Sequence, residues 1–177
     1  NGKKADEQMR TVTFTIAERA SLVPVEISLI WKLFTLISLG IFAISGIGPD
    51  LYSVSSALNR GVTATVATVI AILTGAMATP VLLPWIPGRQ FWWKGLLAGA
   101  LAGLAYILFN KTLSVYEAIS LWTWIAATAS YMAMNFTGAT PYTSLSGVKL
   151  EMRRGLAVQC VGMCIALLLW VASPFIG

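Results

Sequence analysis

The chain of 177 residues is 57% hydrophobic and only 11% charged, with a mean hydropathy of +0.77, which excludes an ordinary soluble domain and points to a polytopic membrane protein. Its formal charge of +5 comes from 12 Lys and Arg against 7 Asp and Glu; basic residues gathered on one membrane face account for it, and nucleic acid is not an expected partner. Histidine is absent, which removes the commonest general base and metal ligand.

Residues 1–14 are charged and polar and read as a linker. Because they resemble the middle of a longer polypeptide, a soluble domain is expected upstream of Asn1. Thr15-Ile-Ala-Glu18 fits a capping box, in which hydroxyl and carboxylate satisfy the first free N–H groups of a helix. Ile16, Ala20 and Val23 then recur at helical spacing, so a short amphipathic helix is expected to lie in the headgroup plane until Pro24 re-sets its direction.

Five apolar runs follow, at about 27–46, 61–79, 92–109, 116–134 and 155–173. Each is close to the roughly 20 residues a helix needs to cross about 30 Å of hydrocarbon. The fold class expected is therefore all-α: a polytopic membrane helix bundle over residues 15–177, with five transmembrane helices preceded by the short interfacial helix. The first run ends in Gly46-Ile-Gly48-Pro49-Asp50, and a polar stretch then reaches Arg60. The second leads into a proline and tryptophan collar, Pro80 to Trp93, typical of a membrane interface. Only residues 110–114 separate the third and fourth, which implies a tight antiparallel hairpin.

Lys and Arg fix the orientation. On one side fall Lys3, Lys4, Arg10, Arg19, Lys32, Arg89, Lys94, Lys149, Arg153 and Arg154; on the other, Arg60 and Lys111. Ten against two places the N-terminus in the cytoplasm and the C-terminus outside, in the inner membrane of a bacterium or archaeon. Span interiors carry no charge, since Lys32 and Glu117 lie near helix starts within snorkelling reach of the interface.

Three features are candidate sites. The stretch from Asn135 to Arg154 is the longest polar segment between apolar runs, with hydroxyls at Thr137, Tyr142, Thr143 and Ser144 and cations at Lys149, Arg153 and Arg154. It reads as a connector with a short basic helix from about Ser146 that binds anionic lipid, or as a docking surface for a cytoplasmic domain. Gly95, Gly99 and Gly103, four apart on the third span, form a stripe for close helix packing, within the bundle or across a homodimer seam; Ala64, Thr68, Ala71 and Gly75 offer a matching stripe on the second. Cys160 and Cys164 share one face of the fifth helix. They read as small packing residues and only weakly as ligands of a soft metal. No catalytic dyad, phosphate loop or metal-binding motif is present, so no catalytic or cofactor-binding residue is assigned.

Two stretches carry a family resemblance: T-F-T-I-A-E-R-A-S-L-V-P-V-E at Thr13 to Glu26 and N-F-T-G-A-T-P-Y-T-S-L-S-G-V-K-L-E-M at Asn135 to Met152. With the five runs, they resemble the C-terminal membrane domain of the corrinoid protein of bacterial and archaeal mercury methylation. That resemblance implies an upstream domain that binds a corrinoid (cobalamin) through a cap-helix cysteine and passes a methyl group to mercuric ion. It also implies a ferredoxin-like partner with two four-iron clusters (4Fe-4S) that supplies electrons. Cys160 and Cys164 do not map onto the cap-helix cysteine. What the resemblance implies for this chain is anchoring in membrane lipids, homodimer formation and presentation of a surface to the corrinoid domain. A small stand-alone permease acting as an oligomer is the alternative, with span threonines such as Thr63, Thr65, Thr74 and Thr128 lining a pore.

Overall fold

The structure, a computed structural model, describes residues 23–136 and 145–176. The expected linker over 1–14, most of the interfacial helix from Thr15, and the hydroxyls Thr137, Tyr142, Thr143 and Ser144 lie outside them.

Five helices make up almost all of what is described: α1 (Val23–Ser45), α2 (Val54–Val81), α3 (Phe91–Phe109), α4 (Val115–Asn135) and α5 (Leu145–Ile176). Three stretches, Val54–Val81, Phe91–Phe109 and Gly147–Ile176, are long and apolar enough to cross a membrane. A two-residue hairpin, β1 (Ile47–Gly48) paired antiparallel with β2 (Leu51–Tyr52), turns the chain between α1 and α2 through Pro49 and Asp50.

Two helix boundaries differ from the sequence reading, and both differences matter. α2 starts at Val54, not near 61, because Ser53 in extended conformation caps it by accepting from Ser56 N–H at 3.3 Å. The polar run Ser55 to Arg60 is therefore its first two turns. α5 starts at Leu145, not near 155, and runs unbroken for 32 residues, about 48 Å at 1.5 Å per residue. The expected short basic helix and fifth span are one rod, so the polar connector is much shorter than Asn135 to Arg154.

Near its end α2 widens into a π-helical turn, Thr74–Ala78, before closing at Thr79–Val81. The cause is Pro80, which has no N–H to give the preceding turn and whose ring crowds it. Thr79 compensates locally: its backbone N–H and its Oγ1, at 2.9 Å, both donate to the Thr74 carbonyl. α4 begins on a full capping box, with Ser114 Oγ accepting from Glu117 N–H at 3.3 Å and Glu117 Oε2 accepting from Ser114 N–H at 3.1 Å.

α4 is the centre of the bundle. Ser120, Leu121, the run Ile125 to Ser130 and Met132 to Met134 are all buried. The glycine stripe of α3 lies directly against it: a Cβ on Gly95 would stand 2.5 Å from Ala133 Cβ, and one on Gly99 2.7 Å from Ala129 Cβ. The small stripe of α2 meets α4 as well, where a Cβ on Gly75 would fall 2.5 Å from both Ala129 O and Met132 Cβ. Each stripe thus packs on α4, not chiefly on the other, and the α3 stripe is occupied within the chain.

The exterior of the bundle is apolar, with Leu36, Leu39, Val66, Leu101, Val161 and Leu168 all exposed, while Ser45, Thr68, Ser120, Ser130, Gln159 and Ser173 are buried. Buried hydroxyls tie helices together: Ser120 Oγ donates to Ala166 O at 2.7 Å, Trp124 Nε1 to Thr68 Oγ1 at 2.9 Å, and Tyr106 OH to Thr63 O at 2.8 Å. Such bonds, with close backbone contact, hold helices together where burial of apolar surface does not.

Candidate functional site

The helices alternate in direction, so the bundle has two ends of different chemistry. At one end α1, α3 and α5 begin and α2 and α4 finish. This basic end holds Arg89, Lys94, Lys149, Arg153 and Arg154. The opposite end holds the hairpin, Arg60, Lys111 and Glu117.

At the basic end Lys149, Arg153 and Arg154 are exposed along the first turns of α5. Between them, Glu151 is turned inward and only 5% exposed. Both its carboxylate oxygens accept from Phe91 N–H, each at 3.1 Å. The residue before α3, Gln90, makes no side-chain cap, so the first turn of α3 is capped by a carboxylate from α5, where the helix dipole also favours negative charge. Lys94 Nζ donates to Leu83 O and fastens the collar to the same turn. At Gly88 the collar takes a φ of +111°, open to glycine alone at low cost. Below this layer Gln159 Nε2 donates to Ser130 Oγ at 2.9 Å, which donates to Trp92 O at 2.8 Å. Glu151→Ala removes the cap and leaves Phe91 N–H without it; the expected cost is about 1–2 kcal/mol, read as a lowered unfolding midpoint in detergent, with Glu151→Gln retaining part of the loss.

At the hairpin end the structure holds a cluster that the sequence reading missed. Arg60, expected in a connection, lies inside α2, and Glu117, expected to snorkel, faces inward to meet it. Arg60 Nε donates to Glu117 Oε1 at 2.8 Å, and the two side chains are only 15% and 17% exposed. Arg60 Nη1 donates to Ser45 O at 3.1 Å, and Nη2 donates to Ser173 Oγ at 2.8 Å and to Trp170 O. The guanidinium carbon stands 4.5 Å from the centre of the Trp170 ring, and Trp170 Nε1 donates to Ser45 Oγ at 2.9 Å. One cation thus joins α1, α2, α4 and α5.

The carbonyls that Arg60 receives explain its place. Ser45 ends α1, where a carbonyl has no helical partner. Pro174 has no N–H to give Trp170 O four residues back, and that oxygen is taken by Arg60 and by Ser173 Oγ at 3.0 Å. The sequence signals were Ser53 as a helix cap and the Pro174 that frees a carbonyl, but the pairing of residues 57 positions apart was not legible.

Both cysteines are exposed on the surface of α5, not buried as small packing residues. Cys160 forms one lip of a cleft of about 250 Å³ between α1 and α5, opposite Leu33 and Phe34, with Leu156 and Met163 beside it and Trp124 on the floor. No group of three His, Cys, Asp or Glu side chains able to hold a metal occurs among the described residues. Of the four threonines suggested for a pore, Thr128 lines this cleft, while Thr63 Oγ1 is bonded to its own helix at Asn59 O.

No protein family, no curated protein and no solved structure matches this chain.

Proposed function

We propose that the chain is the membrane-anchoring and assembly domain of a corrinoid-dependent methyltransferase of the mercury-methylating kind, with methyl transfer carried out by a domain upstream of Asn1. The observation that carries this reading is the placement of the two family-like stretches: one runs into the start of α1 and the other into the start of α5, so both end at the basic end of the bundle. A domain joined before Asn1 would lie on the same side of the bundle as Lys149, Arg153 and Arg154. The ferredoxin-like protein with two four-iron clusters serves the upstream domain, and no catalytic residue is assigned here. A homodimer uses a surface other than the α3 glycine stripe.

In this reading all five helices cross the bilayer. α4 carries Ser120, Thr123, Thr128 and Ser130, yet it is enclosed by its neighbours and shares their depth, and interior polar groups at that depth are supported by hydrogen bonds within and between helices. The basic end faces the cytoplasm and the C-terminus faces out. The gene upstream of Asn1 tests the assignment: an open frame encoding a corrinoid domain with a cap-helix cysteine is expected, and a frame without one defeats it. Alkaline phosphatase fused after Gly177 should be active, since an odd number of crossings puts the fusion outside; an inactive fusion that is stably made would refute the topology.

A further inference from the structure

The cleft between α1 and α5 and the cations of α5 belong to one continuous strip. With 3.6 residues per turn, Lys149, Arg153, Leu156 and Cys160 follow one another along a single face of α5, and Met163 continues it. Arg154, adjacent in sequence to Arg153, is rotated about 100° away from this face. From Arg153 to Met163 the strip is about 15 Å long at 1.5 Å per residue.

α1 and α5 are tied by the Trp170 to Ser45 bond near the hairpin end. Toward the basic end they part, and exposed Leu33 and Cys160 stand as the two lips of the opening. The opening faces sideways, into the same surroundings as the apolar exterior. Its walls are almost wholly apolar. Thr128 Oγ1 and Gln159 Oε1 have no hydrogen-bond partner, but both atoms are covered by protein and present no surface to the cleft. Such walls suit a hydrocarbon chain and offer no polar hold at that depth.

We propose that this strip is a binding site for one anionic phospholipid, with an acyl chain in the α1/α5 cleft and the headgroup phosphate on Arg153, assisted by Lys149. An arginine offers a phosphate a planar pair of donors, and the charge makes those bonds strong. Charge and groove lie on one helix face in the order that a phospholipid presents phosphate and chain. This arrangement is independent of what lies upstream of Asn1.

Native mass spectrometry of the full chain released from detergent tests the site, using palmitoyl-oleoyl phosphatidylglycerol and the phosphatidylcholine with the same chains. One phosphatidylglycerol per chain is expected to survive release. Arg153→Gln is expected to weaken its retention about five-fold, the worth of one cation near an anionic lipid, and to weaken phosphatidylcholine less, because that lipid's own choline already offsets the charge of its phosphate. Arg154→Gln is expected to change neither. Leu33→Trp, which fills the opening from the α1 lip, should lower retention of both lipids, and Cys160→Trp should do the same from the other lip; the variant that keeps the wild-type melting midpoint is the one scored. Equal loss in Arg153→Gln and Arg154→Gln would show diffuse surface charge and overturn the site. Undiminished binding in both lip variants, or full displacement of the lipid by glycerol phosphate, would overturn the placement of the chain. A dimer that the lip variants abolish while lipid adducts persist would assign the groove to a second copy.

Discussion

Arg60→Ala is expected to destabilise the bundle by about 3 kcal/mol, toward the lower end of what breaking one partner of a buried ion pair costs, because both side chains keep some contact with the surroundings. The loss is larger than that of a surface pair for a reason visible in the contacts. Removing the guanidinium leaves Glu117 facing inward without its cation, and removes the donors to Ser45 O, Trp170 O and Ser173 Oγ. Four helices lose a shared tie at once. Unfolding of the purified chain by SDS in mixed micelles measures the effect. Arg60→Lys keeps the charge but not the fork of donors, so it should fall between wild type and Arg60→Ala. The double variant Arg60→Met with Glu117→Leu should recover part of the loss, since an apolar pair strands no charge. If Arg60→Ala unfolds with the wild-type midpoint, the cluster is a consequence of the fold and not a support of it.

Gly99→Ala is expected to cost about 1–3 kcal/mol, the range for forcing an extra methyl into a packed interior, and Gly99→Leu should prevent the native bundle from forming. A Cβ on Gly99 would lie 2.7 Å from Ala129 Cβ, 2.9 Å from Ala126 Cα and 3.0 Å from Ile125 O. Two of those three atoms are backbone, so relief requires α3 to move away from α4. Among apolar surroundings that separation has little to offset it, because van der Waals contact is itself the attraction between helices. The other glycines give an internal scale. Gly95 meets Ala133 Cβ and Ala129 O and should behave like Gly99, while Gly103 meets Trp122 Cδ1 at 3.0 Å and should be milder. Gly40 has nothing within 4 Å, so Gly40→Ala should be neutral or stabilising by up to about 1 kcal/mol, from helix propensity alone. The same unfolding assay reads all four; an unchanged midpoint for Gly99→Ala would contradict the close approach of α3 to α4.

The features legible in the residues alone are those that depend on composition and on neighbours along the chain. Five apolar runs gave five helices, since a hydrophobic stretch of that length satisfies its backbone groups locally only as a helix. The turn of 110–114 followed from having too few residues for anything wider. The glycines of α3 were recognisable because a four-residue spacing needs no knowledge of the partner. Helix starts are less legible: Ser53 begins α2 through a cap that competes with the apolar periodicity, and the polar first turns of α5 have the composition of a connector.

Which faces meet is set by the packing of the helices. It put α4 at the centre, with the α2 and α3 stripes both against it. It carried Glu151 of α5 to the first N–H of α3 and brought Arg60 to Glu117, Ser45, Trp170 and Ser173. Each of those contacts joins residues far apart in the chain, and each is specified by a group left unsatisfied elsewhere: a helix N-terminus without a local cap, a carbonyl at a helix end, a carbonyl deprived of its donor by Pro174. A sequence read position by position shows the donors and acceptors; which of them pair is fixed by how the helices pack.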